Sequence, residues 1–364
     1  MNCDIKVSVI IPIYNAYDYL RPALDSAVYQ TLREIEIICI DDGSTDRSLE
    51  ILKEYQKSDD RIRIVTEANA GAGRARNNGI GRARGEYIAF LDADDFYEPN
   101  FLELLYEKAK AESLDIAIAG FDIYNSQRAI FTRTEEAEHV SIFEGGAVTS
   151  KSQNPNEILS STAGSACNKI FNRSFIIGNE LKFLPDVKTY EDVYFTAGAL
   201  SLAERVARIP DILIHHRIHS EQSTAKVLRK NFTQIPAVLL KIKELLTKRG
   251  MYAPLSVSFL DFSVTRCYKI YKALPKDAKE TLWNLLRGGM LDSLGWSERE
   301  VSEFSSEELY SFVANLEMYT YDQYRKRVQR GIEPVAQKTS QTLKSFKKRR
   351  KIKNFFFGFL RKKK

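Results

Sequence analysis

The sequence predicts an α/β protein: a mostly parallel sheet with helices on both faces, followed by a helical C-terminal region. Three observations carry this. Over the first 125 residues, short runs rich in Val, Ile and Phe alternate with segments of helical period. Strands separated by helices in this way pair in parallel and are covered on both faces, which is why their runs are apolar throughout. Beyond residue 226 the apolar spacing becomes almost purely helical.

Val7–Ile13 reads as the first buried strand and residues 19–30 as the first helix. Glu36–Ile40 is the next strand, and residues 46–57 form a helix with Ser44 or Thr45 placed to cap it. A third strand over 61–65 precedes a helix over 73–83, and a fourth over 86–91 precedes a helix over 100–111. Residues 115–119 form a fifth strand. From 126 to 225 the pattern is irregular, with a Ser/Gly-rich loop near Ser160 to Ser165. Val238–Leu246 is amphipathic at helical period, two further helices follow, and there is no internal repeat.

Composition narrows the class. Hydrophobic residues make up 44% and charged residues 28% of the 364-residue chain, ordinary values for a globular protein with a full core. The four cysteines are scattered, without the paired spacing of a zinc or redox motif, and suit a reducing compartment. The N-terminal apolar run is too short for a signal peptide and is interrupted by Pro12. No apolar stretch approaches the roughly 18 residues that a membrane span needs. The expectation is a cytoplasmic protein. The charge is unevenly spread: residues 344–364 hold eleven Lys or Arg and no acid, so removing that +11 from the net +6 leaves −5 for residues 1–343. A basic segment interleaved with the run Phe355–Leu360 suits an anionic membrane surface better than nucleic acid.

In doubly wound sheets ligands bind beyond the carboxyl ends of the strands, and here those ends are polar. Strand one ends in Pro12-Ile-Tyr14-Asn15 and strand two in Asp41-Asp42-Gly-Ser-Thr-Asp46. Strand four ends in Asp92-Ala-Asp94-Asp95, and the loop after strand three runs from Asn69 to Gly79 with Arg74 and Arg76. Three carboxylates within four residues repel one another unless they are solvated or hold a cation. Magnesium and manganese take such oxygen ligands together with substrate phosphates. Asp92 and Asp94, at i and i+2, can serve a ribose and a metal. A carboxylate at the end of strand two can accept from a base or from ribose hydroxyls, and the two arginines can meet a diphosphate.

These four motifs, in this order and spacing, resemble the family-2 glycosyltransferases over about residues 5 to 225. The resemblance implies a GT-A fold and an inverting transferase acting on a nucleotide-sugar donor, UDP-linked by expectation, with Mn2+ or Mg2+ as cofactor. It implies that Pro12, Tyr14 and Asn15 line the nucleotide pocket, that Asp42 reads the base, that Asp92 contacts ribose or sugar, and that Asp94 holds the metal. Thr189-Tyr-Glu191-Asp192 resembles the family's Glu-Asp motif. Inversion by direct displacement needs one carboxylate to take the acceptor's proton; that role is assigned to Asp192, with Glu191 as the second candidate.

In His215-His216-Arg217-Ile-His219, strand alternation puts His215 and His219 on one face and His216 on the other. Where family members carry Tyr-Tyr-Arg, the first two histidines are expected to replace aromatic packing rather than to bind zinc. Arg217 is a donor-binding candidate, and His219 a candidate diphosphate contact or second metal ligand. The expected division is a catalytic domain over 1–225 (nucleotide half about 1–125, acceptor half about 126–225), a helical region over 226–333 and a basic aromatic tail over 334–364. The acceptor is expected to be a lipid-linked or surface glycan in polysaccharide assembly, with the tail holding the protein at the inner face of the membrane.

The rivals are weaker. A dinucleotide-dependent oxidoreductase needs its glycine fingerprint after strand one, where this chain has Pro-Ile-Tyr-Asn. A metal-dependent nucleotidyltransferase would carry a Gly/Lys-rich phosphate loop there. A catalytically inactive membrane-binding module on the same fold has no need of the intact carboxylate set.

Overall fold

A computed structural model describes residues 5–133, 141–219, 230–297 and 299–331. The chain divides into two compact units, Met1–Pro275 and Lys276–Lys364.

The first unit is built on one nine-stranded mixed sheet. Its strands are β1 (Val7–Ile13), β2 (Ile35–Asp41), β3 (Ile62–Thr66), β4 (Tyr87–Phe90), β5 (Phe96–Tyr97), β6 (Ile116–Asn125), β7 (Ile130–Arg133), β8 (Lys169–Asn172) and β9 (Val206–Ile218). The order is β3-β2-β1-β4-β8-β6-β9-β5, with β7 paired to β6. Strands β1 to β4 are mutually parallel, β8 is antiparallel to both β4 and β6, and β9 runs parallel to β6. All five expected strands and the four expected helices between them form: α1 (Leu20–Val28), α2 (Ser48–Ser58), α3 (Ala72–Arg82) and α4 (Phe101–Ala111). The irregular region adds α5 (Arg173–Gly178) and α6 (Glu191–Leu202).

Sequence explains why β1 lies centrally. Val7, Val9, Ile10, Ile11 and Ile13 are all fully buried, as a strand covered on both faces requires. Helix α3 lies close against it because Gly79 permits the approach; a Cβ there would meet Ile10 Cγ2 at 2.4 Å. Gly73, one turn and a half earlier, likewise faces the Leu184 carbonyl, which a Cβ would approach to 2.4 Å. The close fit of α3 brings residue 76 into the core. Beneath it, Phe90, Phe171, Phe183 and Phe195 form a ring cluster, with Phe183 and Phe195 stacked at 4.1 Å. Each such buried ring contributes roughly 1.5–3 kcal/mol.

The cap of α2 differs from expectation. The helix starts at Ser48, and Asp46 Oδ1, rather than Ser44 or Thr45, accepts from its first N–H at 2.9 Å. The expected boundary at 225 also moves. Helices Gln234–Lys248 and Ser256–Ala273 belong to the first unit. Gln234–Lys248 packs on α6, where Leu245 Cδ2 stands 3.0 Å from the position a Gly198 Cβ would take. The reason is an apolar face: Ile235, Val238, Leu239, Ile242 and Leu246 of that helix are buried.

The second unit, over its described residues, is helical. Trp283, fully buried, stacks on Tyr324 at 4.5 Å and donates its indole N–H to the Tyr319 carbonyl. Residues 332–364, which include the basic aromatic tail, lie outside the described residues.

Candidate active site

The parallel strands bring the predicted motifs to one sheet edge. Asn15, just beyond β1, has φ 50°, a left-handed conformation that asparagine tolerates better than most residues. Its side-chain oxygen accepts from the N–H of Thr45 at 2.8 Å and of Asp46 at 3.3 Å, and its own N–H donates to Ser44 Oγ. The loops after β1 and β2 are thereby tied into one rim. Pro12 is half-buried below that rim, while Tyr14 stands 51% exposed on it.

Asp42 departs from its expected role. It is buried, and its two carboxylate oxygens accept from the N–H of Ala70 at 2.7 Å and of Gly71 at 2.8 Å. The side chain clamps the loop that enters α3 and is turned into the protein rather than out toward a base. Asp41 does a related job, accepting from Ser44 N–H.

Arg76 is the larger correction. The guanidinium expected to meet a diphosphate is buried, lying 5.2 Å over the Phe183 ring. One Nη donates to Glu191 Oε1 at 2.7 Å and the other to Asp92 Oδ1 at 2.5 Å. Burial opposes its charge, but Asp92 and Glu191 outweigh that and hold it firmly protonated. Asp92 mirrors this: burial pushes its carboxyl up, the Arg76 charge and hydrogen bond pull harder, and it stays below the usual carboxylate range. Arg74, by contrast, sits on the exposed face of α3.

The Glu-Asp pair opens α6 from Tyr190, which has φ 70°. Glu191 is taken up by Arg76. Asp192 forms no ion pair with it, and among the described residues its Oδ1 accepts from the N–H of its neighbour Val193 at 2.7 Å. Burial, reinforced by the adjacent Glu191 charge, pushes the Asp192 carboxyl up to about 7. A carboxyl poised near neutrality is what a general base requires.

On the other flank, β9 anchors the acidic loop after β4. Asp95 accepts from His216 Nδ1 at 2.5 Å and from Arg217 N–H at 2.8 Å, and Arg217 Nε donates to the Asp94 carbonyl. Burial pulls His216 down, but Asp95 raises it more, to about 9. His215 lies on the opposite face, its ring nitrogens 2.6 Å from Asp122 and 2.8 Å from Glu98. The two histidines do contact rings, Phe96 for His215 and Phe121 for His216, yet their carboxylate partners go beyond aromatic replacement. The Arg217 guanidinium sits among Tyr19, Phe96 and Tyr124 and lines a pocket of about 370 Å³ with Phe131 and Pro22.

His219 stacks on Tyr19 at 4.2 Å, and its Nε2 lies 3.6 Å from Asp94 Oδ2. No group of three or more His, Cys, Asp or Glu able to hold a metal ion occurs among the described residues. An oxygen and an imidazole donor facing each other nevertheless suit manganese, which fills its remaining positions from water and phosphate oxygens.

Sequence reasoning missed three contributors. Tyr19 was read only as the start of a helix. Cys167, buried, lies within electrostatic reach of Asp92. Lys169, fully buried at the head of β8, lies within electrostatic reach of Asp192. A lone lysine opening the apolar run Lys169-Ile-Phe was the available signal.

Comparison with known proteins agrees with this geometry. Residues 8–177 match the family model for Glycosyl transferase family 2. Over that stretch, a little under half of the chain, the sequence is that of a glycosyltransferase family 2 domain. The glycosyltransferase GlyA of Streptococcus pneumoniae serotype 4 is 33% identical over 221 residues, covering 60% of this chain and 31% of that one. The cholesterol galactosyltransferase of Borreliella burgdorferi is 32% identical over 237 residues, covering 62% and 64%. This chain thus spans less than two thirds of the length of these relatives. Staphylococcus aureus TarS 1–349, solved in complex with UDP-GlcNAc, superposes with TM-score 0.68 at 21% identity, covering 90% of this chain and 92% of TarS. The mannosyltransferase PcManGT of Pyrobaculum calidifontis, solved with GDP-Man and Mn2+, gives TM-score 0.53 at 15% identity, covering 90% and 84%. At those identities the likeness is one of fold, and the fold is GT-A.

Proposed function

We propose that this protein transfers a sugar from a UDP-sugar to an acceptor hydroxyl with inversion, using Asp192 as the base. The carrying observation is the unequal environment of two adjacent carboxylates. Glu191 is bound by a buried arginine, whereas Asp192, beside it, is pushed up to about 7 and is not engaged by that cation. Asp192 takes the acceptor's proton as its oxygen forms a bond to the anomeric carbon; the bond to the diphosphate oxygen breaks and the nucleoside diphosphate leaves. Arg76 keeps Asp92 ionised and holds both Asp92 and Glu191 in place while this happens.

The donor reading draws on the UDP-GlcNAc complex of the TarS fold relative. Pro12, Tyr14 and Asn15 form the rim suited to the nucleotide, and Asp92 suits its ribose or sugar. Asp94 and His219 are the residues that would hold Mn2+ or Mg2+, and such an ion stabilises charge on the departing diphosphate. A glycan or lipid-linked glycan acceptor, and a cytoplasmic site of action at the membrane surface reached through the basic tail, complete the proposal. Loss of residues 344–364 is expected to release the protein from anionic vesicles.

The test is release of nucleoside diphosphate from a panel of nucleotide sugars with manganese, magnesium or chelator, in wild type and Asp94→Ala. Metal-dependent turnover of one donor, lost in the variant, supports the reading. Absence of both turnover and metal-dependent UDP binding would overturn it in favour of an inactive binding module.

A further inference from the structure

Lys169 is a buried ammonium that the mechanism above leaves without a task. It is 0% exposed and makes three hydrogen bonds: to the Ala163 carbonyl at 3.0 Å, the Ser165 carbonyl at 2.7 Å and Asn168 Oδ1 at 2.7 Å. Three oxygen acceptors require three N–H donors, which the ammonium has and the neutral amine lacks. An unpaired charge at this depth is costly, and a leucine or methionine would pack at the head of β8 without that cost. The segment it binds, residues 163–168, packs against the start of α6 and runs close to the acidic loop after β4. Gly164 faces α6, where an added Cβ would stand 2.8 Å from Val193 Cγ2 and 3.1 Å from Arg266 Nη2. Cys167, buried, lies within electrostatic reach of Asp92. The far side of the segment is fixed to β6, since Asn168 Nδ2 donates to the Ala119 carbonyl and Ala119 N–H to the Asn168 carbonyl.

We propose that Lys169 is a positioning residue for Asp192: its ammonium shapes residues 163–168 into a wedge that sets the first turn of α6 against the acidic loop after β4. This rests on the reading of Asp192 as the base. The two groups also sense each other electrically. Burial pulls Lys169 down to about 7, and the largest opposing influence on it is the Asp192 charge. The other charges around the start of α6 are Glu191 on the helix itself, Arg76 from α3, Asp92 from the loop after β4 and His216 from β9. Arg266, whose guanidinium lies beside Gly164, and Arg208 oppose the charge on Lys169.

The experiment compares wild type, Lys169→Met and Gly164→Ala by hydrogen-exchange mass spectrometry over segments 160–170 and 189–196, and by steady-state kinetics on the donor identified above. Lys169→Met is expected to raise exchange at least tenfold in both segments, and to lower kcat at least tenfold with donor KM within twofold. Gly164→Ala keeps the lysine but pushes the wedge off Val193, and is expected to lower kcat with the same KM split. Faster exchange confined to 160–170, with 189–196 unchanged, would overturn the proposal and leave Lys169 a local loop anchor. Equal losses in kcat and donor affinity would do the same. If Lys169→Met does not fold, the Gly164→Ala arm decides. If wild type transfers no sugar, the exchange arm decides alone, so the two readings fail separately.

Discussion

Arg76 and Glu191 stand 115 positions apart in the chain and 2.7 Å apart in the fold. That contact ties up one of two neighbouring acids, which is why the proposed mechanism gives the base role to the other. The Glu191 carboxylate is occupied by the buried guanidinium and is not free to approach an acceptor. Among the described residues Asp192 has no such ion pair.

Replacing Asp192 by Asn is expected to cut turnover by about 10²- to 10⁴-fold while leaving UDP binding within twofold, as calorimetry would register. The same variant should alter stability against pH. The carboxyl rises from its ordinary 3.8 to about 7 in the fold, so the folded protein holds that proton more tightly. Its contribution is complete below about 4 and is lost as pH rises through about 7. Thermal melts of wild type should therefore decline across that window, and those of Asp192→Asn should decline less.

Arg76→Met removes the cation between Asp92 and Glu191 and strands the buried Glu191 carboxylate without its partner. Urea denaturation should show a loss of about 3–5 kcal/mol. Arg76→Lys should recover little of it, because a single ammonium cannot present two forked donors to carboxylates on different elements. A lysine variant matching wild type would remove the bridging role.

His216 gives a second pH signature. Its pKa moves from 6.5 up to about 9 because Asp95 outweighs burial. Stability from this group is complete below about 6.5 and lost as pH rises through about 9. His216→Phe should flatten the melting curve over that alkaline window and leave the acidic one alone. It should also loosen the loop after β4, since His216 and Arg217 N–H share Asp95.

Asp94→Ala and His219→Ala should each weaken manganese-dependent UDP binding by at least tenfold. Asp95→Ala should act mainly on stability, because that carboxylate is buried against β9. Titration of UDP with manganese or with chelator separates the two outcomes.

The core variant Phe195→Ala should destabilise by about 3–5 kcal/mol, since the ring stacks on Phe183 and also backs Phe90 and Phe171. Because Phe183 carries Arg76 on its face, donor turnover should fall further than stability alone accounts for, measurable at a temperature where the variant stays folded.

The sequence by itself determined the strand and helix alternation of the first 125 residues, and with it the edge where a ligand binds. Periodicity reports burial, and burial in a parallel sheet leaves little freedom in how strands and helices alternate. It also picked out the motif residues, because carboxylates and glycines at strand ends are visible as departures from apolar runs. What each polar side chain does there was decided only by the tertiary structure. Arg76 and Asp42 read as ligand contacts because they lie in polar loops. The fold turns one toward Glu191 and Asp92 and the other onto Ala70 and Gly71. Lys169 goes unremarked in the sequence, and its place is seen only once Ala163, Ser165 and Asn168 surround it. Partners 16 to 115 positions away leave no local pattern, since the side-chain geometry that makes an ion pair depends on how elements pack and not on the spacing of letters.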